Sequence, residues 1–523
     1  MKRVRKLLRI MLIFVSMFIF SGIVSAKSPG NDGYISVKTN EDEFYLYKKD
    51  SPIGATSNLS YDSNENRILL KNYEGSLSIE VYNMGDLNVR IEGNNKISNK
   101  SILLSNKSND NTNFYIDGTG SIILNNSMFM YFESENTFTQ IKNISLEAVS
   151  DYSAITSHGN IEIDNVAFNF SINHEYSSAI YSAKELKISN SKINGYSCGM
   201  YINSSEPLLI DNSEINWTAG AIASTKDVVI KDSNLNYKYD KSKEVYYIAE
   251  ESTIFSFENF NIINSNIKLD GSKKFGISAV ELRADSKSNI DILNSGIGIY
   301  AKEIENNSKL NISDTLIGML GQNFNLKSNE VIIKGAVMGI TTPYELSENE
   351  EYFLNINGDL LEINITKDEE KINALKEVLN NSGFARDIWE LPSTIGFYIS
   401  ESDKSIIKLS DDMIMEGGKI YSSKTDYYGD PMYVHYIGTK QLTFNFDDDD
   451  PFLELYKDAP TKLVIRNKNY NPNKNNNVNN ETKKDEIVEN PKTNDINIYI
   501  VGSLIIFSMA LIKISTKKLK KNK

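Results

Sequence analysis

The apolar and polar positions of this chain form a short word that recurs along most of its length. An isoleucine stands at Ile91, Ile116, Ile141, Ile163, Ile188, Ile210, Ile230, Ile262, Ile292, Ile312 and Ile333, at gaps of 25, 25, 22, 25, 22, 20, 32, 30, 20 and 21 residues. Two places after each comes a residue suited to a tight bend: Gly93, Gly118, Asn143, Asn165, Asn190, Asn212, Asp232, Asn264, Asn294, Asp314 and Gly335. From Ile141 onward another apolar side chain follows five places after the isoleucine, as at Leu146, Phe168, Ile193, Ile297 and Met338. Alternation with period two marks strands, and each strand here runs into a turn former. No long helical pattern separates the strands, which argues against an alternating strand–helix fold. A fixed period of this length is the signature of a solenoid. The pattern therefore predicts a parallel β-helix, its short strands stacked about 4.8 Å apart. The isoleucines form one internal aliphatic ladder, and the corner asparagines bond amide to amide up the coil. The two long gaps, 230 to 262 and 262 to 292, predict loops pushed out of a turn, 238–251 being the clearest.

The ends of the chain differ from this middle. Lys2, Arg3, Arg5, Lys6 and Arg9 precede an apolar stretch from Ile10 to Phe20 and the small residues Val24, Ser25 and Ala26. That order predicts a secretory signal peptide over 1–26, cut after Ala26, and hence an exported protein. Residues 31–90 supply the strands of an N-terminal cap, since an open solenoid end exposes unpaired strand edges. Beyond 340 the isoleucine register is lost. Residues 341–466 form an irregular β-rich region, either further turns or a small separate domain, with one amphipathic helix over 367–380. Residues 467–489 are rich in Asn, Lys and Glu with almost nothing apolar, and predict a disordered linker.

The cap region carries a resemblance. The order of Tyr34 to Lys38, the turn from Tyr61 to Arg67, then Gly85-Asp86-Leu87-Asn88-Val89 and Gly93-Asn94-Asn95 resembles bacterial surface proteins with a right-handed, pectate-lyase-like β-helix. The resemblance spans roughly 34–340. It implies an all-β fold: a right-handed parallel β-helix solenoid with an N-terminal strand cap and a small β-rich C-terminal region. It implies no particular activity, because one coil of this kind carries lyases, hydrolases, binding modules and inert stalks.

A second resemblance lies at the C-terminus. Asn490, Pro491, Lys492, Thr493 and Asn494 are followed by an apolar run over 498–512 and by a tail with Lys513, Lys517, Lys518, Lys520, Lys521 and Lys523. Fifteen apolar residues suffice for retention in a membrane, and lysines beyond them hold the tail on the cytoplasmic side. This tripartite end resembles the sorting signal of sortase substrates in Gram-positive bacteria, in its N-P-x-T-[NG] form. The resemblance implies cleavage after Thr493 and transfer to cell-wall peptidoglycan. The ordinary alternative is a plain single-pass anchor.

Composition narrows the chemistry. The chain holds 56 basic and 69 acidic residues. The leader carries five of the basic ones and the tail six, so 27–493 keeps 45 basic against 68 acidic residues, a net of −23. A surface that acidic argues against nucleic acid as a partner. Cys198 is the single cysteine, so no internal disulfide is expected; its small, apolar surroundings mark it as packing. Five arginines follow the leader, Arg67, Arg90, Arg283, Arg386 and Arg466, and none adjoins an aspartate cluster at repeat spacing. Ser157-His158-Gly159, with Asp151 and Asp164 near in sequence, faintly resembles a hydrolase histidine motif, although a polar corner residue is ordinary there. The run from Asp447 to Asp450 lacks the spaced ligands and glycine of a calcium loop. Tyr427, Tyr428, Tyr433, His435 and Tyr436 form an aromatic cluster that would suit sugar rings or strand packing. No catalytic residue, metal site or cofactor is assigned. The expectation is a wall-anchored surface protein whose rigid coil serves adhesion to, or binding of, host or bacterial glycans or matrix. The rivals are a polysaccharide lyase or glycoside hydrolase, and a passive structural stalk.

Overall fold

The computed structural model describes residues 29–51, 54–98, 102–240, 252–328, 330–341, 353–371, 373–374, 393–400, 407–409, 412–416, 419–423, 432–438 and 461–470. The signal peptide, the linker beyond Tyr470, the sorting signal and the 498–512 run lie outside these residues; Asn467, expected to open the linker, instead ends strand Lys462–Asn467, with its N–H on the Asp359 carbonyl. At 66% strand and 2% helix, the described residues leave no room for crossover helices between strands. The chain winds into a right-handed parallel β-helix of about 12 turns. The predicted helix over 367–380 is represented by its helical start at 369–371 and 373–374. Among the described residues no helix is long and apolar enough to cross a membrane.

One turn shows how the coil is made. Asn160–Asp164 lies in a first sheet, Ala167–Ile172 in a second and Ser178–Ser182 in a third, and Leu186–Ser189 returns to the first. Each strand pairs in parallel with its counterpart one turn away. Alternate side chains point into the lumen, so Ile161, Ile163, Phe168, Phe170, Ile172 and Ile180 are all buried. The lumen is one continuous apolar core from Ile35 to Ile465.

The isoleucine word maps onto this coil in a way the sequence pattern did not predict. Ile116, Ile141, Ile163, Ile188, Ile210, Ile230 and Ile262 stand in register in the first sheet. Ile292, Ile312 and Ile333 belong to the second sheet, where they stack on Leu269. The residues five places on change sheets too: Leu146, Phe168, Ile193, Ile215, Leu235 and Ile267 stack in the second, Ile297, Ile317 and Met338 in the third. Ile91 stands outside both ladders, level with Gly118, because the bend at Gly93 comes two places beyond that level; Val89 pairs with Ile116 instead. The single expected ladder is therefore two, offset by one third of a turn. The word encodes a strand followed by a left-handed bend, and both the first-to-second and the second-to-third corners accept it.

The same shift removes one expected loop. Ile262 pairs with Ala284, a spacing of 22 residues, and Asn266–Ala284 is one unbroken strand run of 19 residues. The 30-residue gap to Ile292 is a change of corner rather than an insertion. The stretch 241–251, in the other long gap, lies outside the described residues.

Both ends are closed by antiparallel strands. Tyr34–Thr39 pairs antiparallel with Leu77–Tyr82, the lowest strand of the third sheet, and Leu59–Asp62 with Arg67–Lys71, the lowest of the first. Beyond 340, Phe353–Ile356 and Leu360–Ile365 continue the first and second sheets in parallel. Lys462–Asn467 then pairs antiparallel with Leu360–Ile365, and Met432–Gly438 with Ser393–Ser400. An antiparallel last strand breaks the repeat that a further copy would have to match, which blunts edge-to-edge growth.

One corner near the cap stores an electrostatic cost. Asp110 is fully buried; its Oδ1 accepts the Asn83 N–H at 2.6 Å, the Thr112 N–H at 3.1 Å and the Thr112 hydroxyl at 2.8 Å. Its Oδ2 has no partner. Burial outweighs these donors and raises the carboxyl's pKa. A group whose pKa is higher folded than unfolded favours folding below its unfolded pKa, and that contribution is lost as pH rises through the folded value. Asp110→Asn, which cannot ionise, should therefore gain stability relative to the parent chain between pH 4 and pH 7. Denaturant unfolding at the two pH values checks this, and a constant difference would contradict it.

Candidate functional site

The corner between the first and second sheets is the most regular surface of the coil. Asn143, Asn165, Asn190, Asn212, Asp232 and Asn264 occupy successive turns there with φ between 45° and 57°. Asparagine and aspartate enter this left-handed region at less cost than other residues with a Cβ, because the short polar side chain bonds locally. Beneath them runs a row of buried serines, Ser191, Ser213, Ser233, Ser265 and Ser288. Ser213 shows the pattern: its hydroxyl accepts the Ser191 N–H at 3.1 Å and donates to the Asp211 carbonyl at 2.8 Å. Ser233 and Ser265 repeat it one and two turns on. Each hydroxyl thus satisfies a buried backbone N–H that the sharp bend takes out of the ladder. The sequence signal for this row is the serine just after Asn190, Asn212, Asp232 and Asn264.

The asparagine tips do not form the continuous amide ladder expected. The Asn165 amide donates to Asn143 and the Asn212 amide to Asn190, both at 2.7 Å, but the Asn190 amide donates to Asp164 Oδ1, also at 2.7 Å. Asp232 accepts from the Asn264 amide and has no amide hydrogen to offer Asn212. Pairs replace the run because Asp164 competes for one donor and Asp232 lacks one. An unbroken ladder lies on the outward face of the second sheet. There the Asn194 amide donates to Asn169, Asn216 to Asn194 and Asn236 to Asn216, at 3.0, 2.9 and 2.9 Å.

A shallow groove of about 680 Å³ follows the corner across six turns, from Gly118 and Gly120 to Asp232 and Asn234. Its charges are internally matched. Lys192 pairs with Glu214 at 2.9 Å, and Lys231 sits 3.3 Å from Asp211 and 3.4 Å from Asp232. Hydrogen bonds from Asn216 and Lys192 lower the Glu214 pKa, and the Asn264 amide lowers that of Asp232, so both stay ionised at neutral pH. What the groove presents is a row of side-chain amides at the turn spacing, over serines whose hydroxyls are already bonded. Such a lining suits a neutral, hydroxyl-rich chain lying along the coil.

The other candidates fall elsewhere. His158 is in the third-to-first corner, where its N–H donates to the Phe132 carbonyl at 2.9 Å and its ring meets Tyr131 edge-on at 6.3 Å. Asp164 ends its strand at the first-to-second corner, and Asp151 stands in the second-to-third. The three occupy three different corners, so the coil does not bring them together. Arg67, Arg90, Arg283 and Arg466 each pair with a carboxylate. Cys198 is buried, with its N–H on the Ile172 carbonyl at 2.9 Å. Tyr433, His435 and Tyr436 lie on the antiparallel strand Met432–Gly438. Arg386, Tyr427, Tyr428, Asp447 to Asp450, Ala26 and Asn490, Pro491, Lys492, Thr493 and Asn494 are outside the described residues. Among the described residues no three His, Cys, Asp or Glu side chains are grouped so as to hold a metal ion. Comparison with protein-family models, with curated proteins and with solved structures finds no match for this chain.

The bend itself is testable. Asn212→Ala places a Cβ residue at φ 45° and should cost about 1–2 kcal/mol of stability. Asn212→Gly loses the same amide bond but not the conformation, and should cost less. Equal losses in denaturant unfolding would show that the hydrogen bond, not the backbone, matters at this corner.

Proposed function

We propose that this chain is an exported surface protein that holds a stiff β-helix outside the cell and binds glycans or matrix through the second sheet and its asparagine corner, without catalysing a reaction. The amide-lined groove across six turns carries the reading. It is long, polar and internally charge-neutralised, as a site for an extended neutral polymer should be. A preformed coil loses little conformational freedom on binding, which favours affinity. In the cell the protein is fixed by its C-terminus: Asn490, Pro491, Lys492, Thr493 and Asn494 resemble a sortase signal, and the linker 467–489 would carry the coil through a Gram-positive wall. Sortase and peptidoglycan are then its partners in anchoring, and the membrane holds the 498–512 segment only until processing.

Two measurements test this. Asn194→Arg with Asn216→Arg fills the outward face of the second sheet with bulky charge while leaving the lumen untouched. Cells carrying this protein should adhere to glycan- or matrix-coated surfaces no better than cells lacking the coil; undiminished adherence would leave a passive stalk as the better reading. New reducing ends or unsaturated products on incubation with polysaccharides would turn it into a hydrolase or lyase. For anchoring, muramidase digestion of the wall and mass spectrometry should yield a peptide ending at Thr493 joined to a wall fragment. An intact lysine tail in the membrane fraction would replace sorting with a single-pass anchor.

A further inference from the structure

The outward face of the second sheet carries more than one asparagine ladder. At strand Asn234–Lys238 a second begins beside the end of the first: the Asn266 amide donates to Asn234 and the Asn289 amide to Asn266, both at 2.8 Å. Asn234 and Asn236 stand two places apart on one strand, so both project from the same face. Joined there, the two ladders run from Asn169 to Asn289 through six successive turns. Five steps of about 4.8 Å make a row about 24 Å long.

Three properties of this row say what would lie on it. First, it is open: five of its seven asparagines are exposed, and Asn194 and Asn216 are partly so. Second, its hydrogen bonds leave capacity over. A primary amide has two N–H donors and two acceptor lone pairs. Asn194 and Asn266 each spend one donor and one acceptor on their neighbours and keep the other of each. Asn216 gives its second N–H to Glu214 at 2.8 Å and keeps an acceptor. Third, the bonds all run one way, each amide donating to the turn before it. Successive rungs therefore offer the same uncharged group at one fixed spacing.

We propose that this row is a track for one extended neutral glycan with the straight, diequatorial linkage of cellulose, lying along the coil with about one sugar to each turn. Such a chain is a flat ribbon that advances by close to one turn height per sugar, and its edge hydroxyls both donate and accept. A glycan that coils, as α-linked glucans do, leaves a straight row after a few sugars. An extended peptide repeats its same-side groups about every 6.6 Å and falls out of step with the turns. The inference rests on the glycan-binding reading above and gives that reading a linkage class and a length.

The test uses the full chain and cellulose-type oligomers, from disaccharide to octasaccharide, immobilised by their reducing ends, with affinity read by surface plasmon resonance. Affinity should rise about two- to fivefold with each added sugar, the scale of one net hydrogen bond. It should level off near six sugars, the number of turns the row crosses. Asn289→Ala removes the last rung and should lower hexasaccharide affinity by the same factor while leaving disaccharide affinity unchanged. Asn169→Ala should do so from the other end, and replaces the first variant if that one melts at a lower temperature. α-Linked glucans of equal length should bind about tenfold more weakly or worse, having lost several rungs. Equal binding of the α-linked series would overturn the track, as would affinity that is flat from the disaccharide onward; either result leaves the broader glycan reading standing. Binding to a matrix protein with no glycan bound would overturn the track and leave only the matrix half of that reading. No binding to any glycan or matrix protein would remove the reading itself and the track with it.

Discussion

Everything in this molecule depends on each turn coming back level with the one before it. Between the antiparallel end strands the sheets are parallel, so each strand there takes its hydrogen bonds from the turns above and below and none from a hairpin partner. A turn that gained or lost one residue within a strand would throw that side chain, and all after it, to the wrong face. The corners are where length is absorbed, and the first-to-second corner absorbs least. Its asparagines take the left-handed bend and its serines satisfy the N–H groups the bend releases. That corner is consequently both the most uniform part of the coil and the part with a continuous groove.

The groove and a cavity at the second-to-third corner are opposite consequences of this constraint. Where the bend is the same on every turn, polar side chains line up and offer a repeating set of donors and acceptors. Where loop length changes from two to four to five residues, the turns no longer cover each other, and a cavity bordered by Asn126, Val149, Asp151 and Asn173 opens. The second sheet lies between them with its own asparagine ladder, so a single face of the coil carries both. The antiparallel strands at either end keep a coil of this length from continuing into another copy of itself. An open sheet edge would otherwise be prone to edge-to-edge association.

The polar rows inside the coil also decide how it answers to charge. The serine stack is neutral and satisfied, and it costs nothing as pH changes. Asp110 is the exception, a carboxyl packed where burial opposes its ionisation. Among the described residues the arginines that could have supplied a base, Arg67, Arg90, Arg283 and Arg466, are each paired with a carboxylate.

By itself the sequence determined the architecture. Period-two alternation closed by Asn, Asp or Gly at intervals of 20 to 32 residues admits a parallel β-helix and little else, because the pattern is local and each word specifies a strand and its bend. Only the tertiary structure decided which corner each word would occupy. Ile262 and Ile292 read alike, yet one faces Ala284 in the first sheet and the other Leu269 in the second. A strand-and-bend word fixes the direction of the chain relative to itself, but its place around the coil depends on the summed lengths of all three corners. The separation of His158, Asp151 and Asp164 onto different corners, the breaks in the asparagine ladder and the cavity beside Asn126 follow from that same sum, so none of them is visible in any single stretch of residues.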